Sequence, residues 1–448
     1  MSRSPTVRVE ARWLVWGILF LPYLVANFHR LAMGVAREAL VTEFSLPSAA
    51  FANIGAAYFY AYAILQIPAG VLADSIGPRR TVTAGTTVAA FGSVAFGLSG
   101  GATALFFSRL AIGVGVSVLF MAILKAVALR FPEGSFASMT GLTAGLGTLG
   151  GVFAQTPLYM AIYGYGWRST FIAVGAVTAI LALIVWTLIR DAHPAGHEPG
   201  TASGPRAEAP SSPDSAAATG IPQTPSPTGR LPSVRRGLLR ALANRRSWPP
   251  FIVFFGAYGT FIALSGTWGQ AYAIHVLGVG EATASNLLIS TVVGITIGGI
   301  FCTRISDHLR RRRLPMLLMG GTGVVAWFVF VTFVDAETPI VALYLLFSLL
   351  GFCSGISMNT PASAKEVNHP SLSGVSTSIA NVGGFVGAAV IPLTMGAVLD
   401  SAPTGLAAAE IYRYVFAACI VGAVIAFIGT LFITESNARN IYHTLNRS

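Results

Sequence analysis

Apolar stretches of about twenty residues or more recur from one end of the chain to the other, separated by short segments that hold most of its charge. A run of that length crosses a ~30 Å hydrocarbon core as an α-helix. Twelve such helices are predicted, over 13–36, 50–73, 81–99, 104–130, 137–163, 168–190, 249–276, 284–306, 314–334, 339–363, 372–399 and 409–434. The segment 191–247 breaks the rhythm. Its first part, HPAGHEPGTASGPRAEAPSSPDSAAATGIPQTPSPTG, is rich in Pro, Ser, Ala and Gly and cannot bury enough apolar area to fold. Its second part, RLPSVRRGLLRALANRR, reads either as a short basic amphipathic helix at a membrane surface or as a solvated basic linker. The pattern divides the chain into a six-helix bundle (1–190), a linker (191–247) and a second six-helix bundle (248–448).

Composition agrees with the pattern. Of 448 residues 54% are hydrophobic and only 10% charged, where a soluble domain carries roughly 25% charged residues. The chain is an all-α polytopic membrane protein whose first partner is the lipid bilayer. A net charge of +11 raises the question of nucleic acid, but the arginines lie between the apolar runs and not on a folded basic module, so no nucleic-acid partner is expected. Arg79, Arg80, Arg130, the linker arginines and Arg310 to Arg313 fall in alternate loops, and the opposite loops hold Glu43, Glu281, Asp335, Glu337, Asp400 and Glu410. The positive-inside rule then puts both termini and the linker in the cytoplasm. The polar, basic N-terminus and the length of the first apolar run suggest an uncleaved first span. Cys302, Cys353 and Cys419 sit inside apolar runs without metal spacing, so no disulfide, metal or cofactor is expected. HExxH does not occur and no paired acids lie at depth in any span, and no enzyme is expected. Two lysines beside abundant Ala, Gly and Arg suggest a high-GC bacterium and hence its inner membrane.

The two halves repeat. GVLADSIGPRR follows the second span and TRISDHLRRRR the eighth; each half also has a glycine-rich span with a proline near its far end, Pro157 and Pro392. Asp74 and Asp307 are 233 residues apart, Pro157 and Pro392 235. Parallel halves joined by a linker form secondary transporters with a midplane site between them.

These motifs resemble the major facilitator superfamily. Gly70-Val-Leu72-Ala-Asp74-Ser-Ile-Gly77-Pro-Arg79-Arg80 matches its loop motif, Arg109-Leu-Ala-Ile-Gly113-Val-Gly115 its fourth-helix motif, and Gly166-Trp167-Arg168 with Phe171 its opening of helix six. In the second-half copy of the loop motif, Thr303 and Arg310 replace the glycines. The resemblance implies a twelve-helix fold of two pseudo-symmetric bundles, with Gly70, Asp74, Gly77, Arg79, Arg80, Arg130 and Asp307 in cytoplasmic gates. Asp74 would face the start of helix eleven and pair with Arg79 or Arg130; the alternative is that these charges only fix topology. The helix-five antiporter motif lacks its proline at Gly141-Leu-Thr-Ala-Gly145-Leu146, and Gly145, Gly147, Gly150 and Gly151 read as packing glycines.

No carboxylate lies at mid-depth in any span, which disfavours a carrier of organic cations. The bases point the other way. In YLVANFHRLAMG, Tyr23, Asn27, Arg30 and Gly34 fall at i, i+4, i+7 and i+11, one polar stripe on a helix. The stretch also looks like the first helix of the superfamily's organic anion and organophosphate porters, which implies that Arg30 meets the substrate's anionic group; a guanidinium binds carboxylate or phosphate bidentately. Its plainer alternative is snorkelling. Arg109 is a second candidate or else a buried structural arginine. Tyr58, Tyr62 and Gln66 form a stripe on the second span, and Gln155, Trp268, Asn359 and Asn381 join the candidate lining. Adding 235 to Tyr23 gives Tyr258, which shares a face of the seventh span with Ser265, Trp268 and Tyr272. Lys125 lies 16 residues after Arg109, about 160° round an ideal helix, so it and Lys365 are expected at the cytoplasmic rim with Glu366; the alternative is a direct role with an anionic substrate in the inward-facing state. His29, suited to titrate near neutral pH, is a candidate for proton coupling.

The expected protein is a monomeric secondary active transporter that moves a small organic anion, of carboxylate or phosphate-ester type, by alternating access. Proton-coupled uptake is expected, with anion exchange equally compatible. A drug or metabolite efflux pump of the same superfamily and a non-transporting, transporter-like sensor are the alternatives.

Overall fold

The computed structural model describes residues 5–132, 135–189, 232–403 and 405–445, and of these 5–11, 67, 70, 71, 73, 74, 136, 137, 232–236 and 371 by their backbone alone. The Pro/Ser-rich part of the predicted linker lies outside the described residues, as do the side chain of Asp74 and that part of the gate expected to form on it. The described residues are almost wholly helical, with no strand among them. The first span is α1 (Pro5–Phe44), followed by α2 (Ser48–Ile76) and α3 (Pro78–Gly97). The fourth span is two pieces, α4 (Ala102–Ser117) and α5 (Leu119–Arg130); the fifth is α6 (Phe136–Phe153) and α7 (Thr156–Tyr165); α8 (Trp167–Leu188) ends the first half. A short α9 (Pro232–Ala243) precedes the seventh span, which consists of α10 (Trp248–Ile262), a π-helical turn over 263–268 and α11 (Gly269–His275). Then come α12 (Glu281–Leu309) and α13 (Arg313–Phe333). The tenth span is α14 (Ile340–Ser354), a 3₁₀ turn over 355–359 and α15 (Thr360–Glu366), and the fold closes with α16 (Ser373–Asp400), α17 (Ala408–Leu431) and α18 (Tyr442–Leu445).

Ten of the described helical segments are long and apolar enough to cross a membrane. With α3 and the α6–α7 pair they account for the twelve predicted spans. α1 runs on to Phe44 where a span ending at 36 was expected, because no helix breaker intervenes before Ser45, at φ 49°. Ile64, Phe91, Phe107 and Phe432 stand exposed on the outside, as a lipid-facing surface requires.

The repeat seen in the sequence is present in the backbone. A Cβ on Gly113 of α4 would stand 2.5 Å from the Tyr58 carbonyl of α2, and one on Gly351 of α14 would stand 2.1 Å from the Thr291 carbonyl of α12. Helices that close have no room for a side chain at the crossing. Gly77, between α2 and α3, has φ 84°, a conformation open to glycine; the equivalent place between α12 and α13 is Arg310, at φ 51°.

The helix ends carrying Arg79, Arg130 and Arg310 form a basic end of the molecule, and those carrying Glu43, Glu281 and Asp400 an acidic end. The hydrogen bonds that join the two halves at Asp400, His275, Thr156, Thr296 and Gln155 lie between mid-helix and the acidic end. Asp400 of α16 accepts from the Ser48 and Ala49 amides at the start of α2 (2.7 and 2.8 Å), a carboxylate at a helix N-terminus. His275 meets Glu38 at 3.2 Å, Thr156 Oγ1 donates to Asn286 at 2.7 Å, and Thr296 Oγ1 to Thr148 at 3.1 Å. Within the first half, Trp167 Nε1 donates to Glu43 at 2.7 Å, and Arg168 reaches Glu43 and the Gly97 and Ser99 carbonyls. The Gly166-Trp167-Arg168 motif thus ties α8 to the far ends of α1 and α3.

Candidate functional site

The middle of α1 carries the candidate site. Asn27 Nδ2 donates to the Tyr23 carbonyl one turn back (2.9 Å), which turns its Oδ1 toward Arg30 Nη1 at 3.2 Å. Tyr23, Asn27 and Arg30 therefore share the face that their spacing predicts. The Arg30 guanidinium lies 5.3 Å from the Tyr62 ring centre and 5.7 Å from that of Phe385, within cation–π range. The phenols of Tyr23, Tyr58, Tyr62 and Tyr258 are all close enough to interact electrostatically with it. Arg30 Nε is buried and makes no hydrogen bond. Among the described residues no carboxylate pairs with this arginine. Both halves build the cage: α1 and α2 supply Arg30, Asn27 and three tyrosines, while α10 supplies Tyr258 and α16 Phe385.

The packing behind the cage is tight. A Cβ on Gly147 would meet the Tyr23 ring at 2.5 Å, and one on Gly150 the Leu24 carbonyl at 2.0 Å. Gly145, expected to share this duty, would meet nothing within 4 Å; it points away from α1. Tyr23 also stacks on Phe120 at 5.3 Å between ring centres.

Comparison with known proteins agrees with this architecture. The sequence model of the Major Facilitator Superfamily matches residues 11–392 and 278–444. The chain belongs to this superfamily. It is 25% identical over 401 residues to the probable sulfoacetate transporter SauU of Cupriavidus necator, covering 88% of each chain. It is 24% identical over 414 residues to the probable galactarate/D-glucarate transporter GarP of Escherichia coli K12, covering 87% of this chain and 88% of that one. Among solved structures, a bacterial homologue of the human lysosomal transporter Spinster, inward-facing and unoccupied, superimposes with a TM-score of 0.69 at 16% identity over 97% of this chain and 98% of that one. The D-xylose–proton symporter gives 0.65 at 13% identity over 95% and 99%. The chain is a superfamily transporter and not an enzyme.

The other candidate residues fall in several places. Arg109 stands directly behind the cage, fully buried, with Nη1 donating to the His29 carbonyl at 2.9 Å and its guanidinium 5.2 Å from the Tyr58 ring centre. Tyr58, whose hydroxyl donates to the Ala26 carbonyl at 3.0 Å, separates the two arginines. His29 points away from Arg30, buried between Phe28 and Phe171 with neither ring nitrogen hydrogen-bonded. Gln66 is buried with its Oε1 unpartnered. Gln155, at the break between α6 and α7, donates to the Ser265 carbonyl across the interface between halves at 3.0 Å. Asn381 is half-buried on α16, one turn before Phe385.

Three residues expected in the lining lie outside the cage. Trp268 lies in the seal toward the acidic end: its indole N–H donates to the Pro392 carbonyl at 3.0 Å, its ring meets Phe51 edge-on, and Arg37 sits 5.4 Å from it. Tyr272, on the same expected face, packs into the second half against Phe330 and Phe416. The π-helical turn explains both: Trp268 is its last residue and Tyr272 follows it, and its wider winding rotates them out of the phase that Tyr258 keeps. Asn359 belongs to a cluster at the basic end, where its Nδ2 donates to Ser306 (3.2 Å) and its carbonyl oxygen faces Arg312. The 3₁₀ turn over 355–359 has the same consequence for the tenth span.

That cluster is centred on Arg312, which bonds Glu366 at 2.7 Å and Asp307 at 2.5 Å. Burial lowers the basicity of Arg312, but the hydrogen bonds and charges of Glu366 and Asp307 outweigh it and hold the guanidinium above its ordinary range. Glu366 is itself buried and also accepts from Ser436 at 2.5 Å. Lys365 next to it is exposed at the rim, and Lys125 is half-buried on α5. Arg79 donates twice to the Trp186 carbonyl (3.0 and 2.7 Å) and lies 4.1 Å from that ring, fixing α3 to the end of α8; Arg80 is exposed and Arg130 half-buried. Phe385 and Arg37 were not singled out by sequence. Phe385 had no charge or motif to mark it, and Arg37 lay just beyond the expected end of the first span.

Proposed function

We propose that this transporter carries a small organic anion bearing a carboxylate, sulfonate or phosphate group, and that Arg30 takes the anionic head. The observation that carries the reading is a guanidinium held between aromatic rings of both halves, with an unused N–H and no acidic partner among the described residues. Such a charge is costly to enclose unless a counter-ion joins it, and an anion arriving there gains charge-assisted hydrogen bonds. The tyrosines would meet the substrate's hydroxyls or carbon skeleton. The names of the two relatives above, a sulfoacetate and a galactarate/D-glucarate transporter, are those of acidic cargoes.

Under this proposal the basic end and both termini face the cytoplasm of a bacterial inner membrane, and the halves rock about the Arg30 cage. The contacts from α2 to α16 and from α1 to the seventh span close the outer side, so the arrangement is the inward-facing half of an alternating-access cycle. Gly77, the Asp74 and Asp307 loops and Arg79 would re-form contacts when the basic end closes. Uptake is coupled to protons, which travel with the substrate or through His29. The test is flux in proteoliposomes of purified protein, with labelled sulfoacetate, galactarate and a hexuronate against a lipophilic cation, with and without an inward proton gradient. Anion accumulation that collapses with a protonophore supports the proposal. Flux of the cation alone sinks it.

A further inference from the structure

The basic end of the second half holds a groove of about 450 Å³ that the transport site does not use. Its walls include Arg310 and Arg311 on one side and Asn437, Arg439, Asn440 and Thr444 on the other. Both walls are held firmly. Arg310 and Arg311 follow the end of α12, with their amides bonded to the Asp307 and Ser306 carbonyls at 3.3 and 3.1 Å. The tail after α17 is clipped to α15: the Ile441 amide donates to the Glu366 carbonyl at 2.9 Å, and Asn440 Nδ2 to the Lys365 and Asn368 carbonyls at 3.0 and 2.9 Å.

Among the described residues the charge of the groove is uncompensated. The described carboxylates near it are already engaged: Asp307 and Glu366 by Arg312, and Glu435 by the amides of Arg312, Arg313, Ser436 and Asn437. Among the described residues none pairs with Arg310, Arg311 or Arg439. Arg310 also keeps a left-handed backbone, φ 51°, at the position where the first half uses Gly77; a side chain there is strained, and here it supplies a guanidinium to the groove. Three arginines converging on one cleft match a phosphate, which their forks bind bidentately.

The surroundings choose between a soluble phosphate and a lipid. Leu309 lines the groove and is 46% exposed, and above it Ile297, Ile300 and Phe301 form an exposed apolar strip on the same helix. Arg304, exposed on α12 between that strip and the groove, can lay its stem along the chains and its head among the phosphates. Basic pockets at the cytoplasmic ends of membrane helices suit anionic lipid headgroups. We propose that this groove binds the phosphodiester of an anionic phospholipid whose acyl chains lie along α12. A bound lipid would bridge the turn between α12 and α13 to the tail, and through the tail to α15.

The test uses the full-length protein in neutral detergent, titrated with phosphatidylglycerol, phosphatidylcholine, glycerol phosphate and inorganic phosphate. Thermal unfolding and native mass spectrometry give stabilisation and lipid count. R310Q/R311Q/R439Q is compared with R240Q/R245Q/R246Q, which removes the same charge from exposed positions at the same end, and with R439Q alone in case the triple variant does not fold. Phosphatidylglycerol should stabilise wild type and the control, binding about fivefold more weakly for each groove arginine removed and on the order of a hundredfold for three. An equal response from all variants would mean diffuse charge attraction and overturn the site. Stabilisation by glycerol phosphate or inorganic phosphate matching that by the lipid would overturn the lipid assignment.

Discussion

Replacing Arg30 with glutamine separates a binding arginine from a structural one, because the two roles predict opposite signs in the unliganded protein. The substitution forfeits one hydrogen bond to Asn27 and two ring contacts, at 5.3 and 5.7 Å. These are worth about 1 kcal/mol and about 0.5–1 kcal/mol each. Against this stands the enclosure of a charge with no acidic partner, an effective penalty of several kcal/mol. The unliganded variant should therefore unfold at the wild-type temperature or above it. With substrate the balance reverses. A bidentate contact to a carboxylate or sulfonate supplies two charge-assisted bonds; allowing for what glutamine retains, its loss costs roughly 3 kcal/mol, on the order of a hundredfold in Kd. Thermal unfolding of purified wild type, Arg30→Gln and Arg30→Lys would be followed against sulfoacetate, galactarate, other dicarboxylates, phosphate esters and a lipophilic cation. The anion-dependent rise should vanish in Arg30→Gln and return in part in Arg30→Lys, which keeps the charge but not the fork. A lowered unfolding temperature without ligand, together with anion affinity within threefold of wild type, would show that Arg30 serves the fold and refute the reasoning.

Three further changes test the frame around the cage. Gly150→Ala should lower the unfolding temperature by an equivalent of about 1–3 kcal/mol, since its Cβ would meet the Leu24 carbonyl at 2.0 Å, while Gly145→Ala should be neutral or slightly stabilising; equal effects would mean α6 does not pack this way. Asp400→Ala removes the carboxylate that holds two amides of α2, worth about 1–2 kcal/mol, so maleimide labelling of a cysteine placed at Ser265 should run roughly five- to thirtyfold faster from the acidic side. An unchanged rate would mean that this contact does not keep the acidic end shut. Glu366→Ala leaves the buried Arg312 guanidinium with one carboxylate of its cluster, Asp307, and should destabilise by roughly 3–5 kcal/mol, read as a large fall in unfolding temperature; a variant as stable as wild type would show the Glu366 carboxylate to be dispensable.

What the sequence made legible, and what it hid, follows helix continuity. α1 runs unbroken from Pro5 to Phe44 even with Pro22 inside it, so Tyr23, Asn27 and Arg30 keep the 3.6-residue phase that spacing assumes. α2 is likewise continuous over Tyr58 and Tyr62, and both reach the cage. Tyr258 precedes the π-helical turn and joins the cage; Trp268, the last residue of the turn, and Tyr272, after it, do not. Asn359 ends the 3₁₀ turn of the tenth span and is lost to the Arg312 cluster in the same way. The angle drawn from Arg109 to Lys125 assumed one helix, whereas Val118 separates α4 from α5. Phe385 was hidden for a different reason. Nothing in its own span marks it, and it becomes part of the site only because α16 lies against α2 across the two halves, a pairing no local pattern encodes. A lone sequence therefore reveals the half of a two-bundle site that a charged residue labels. The apolar face supplied by the other bundle emerges only once the halves are docked, and under the proposed function it is this face, through Tyr258 and Phe385, that would sense whether the anion is present and pass that to the relative position of the bundles.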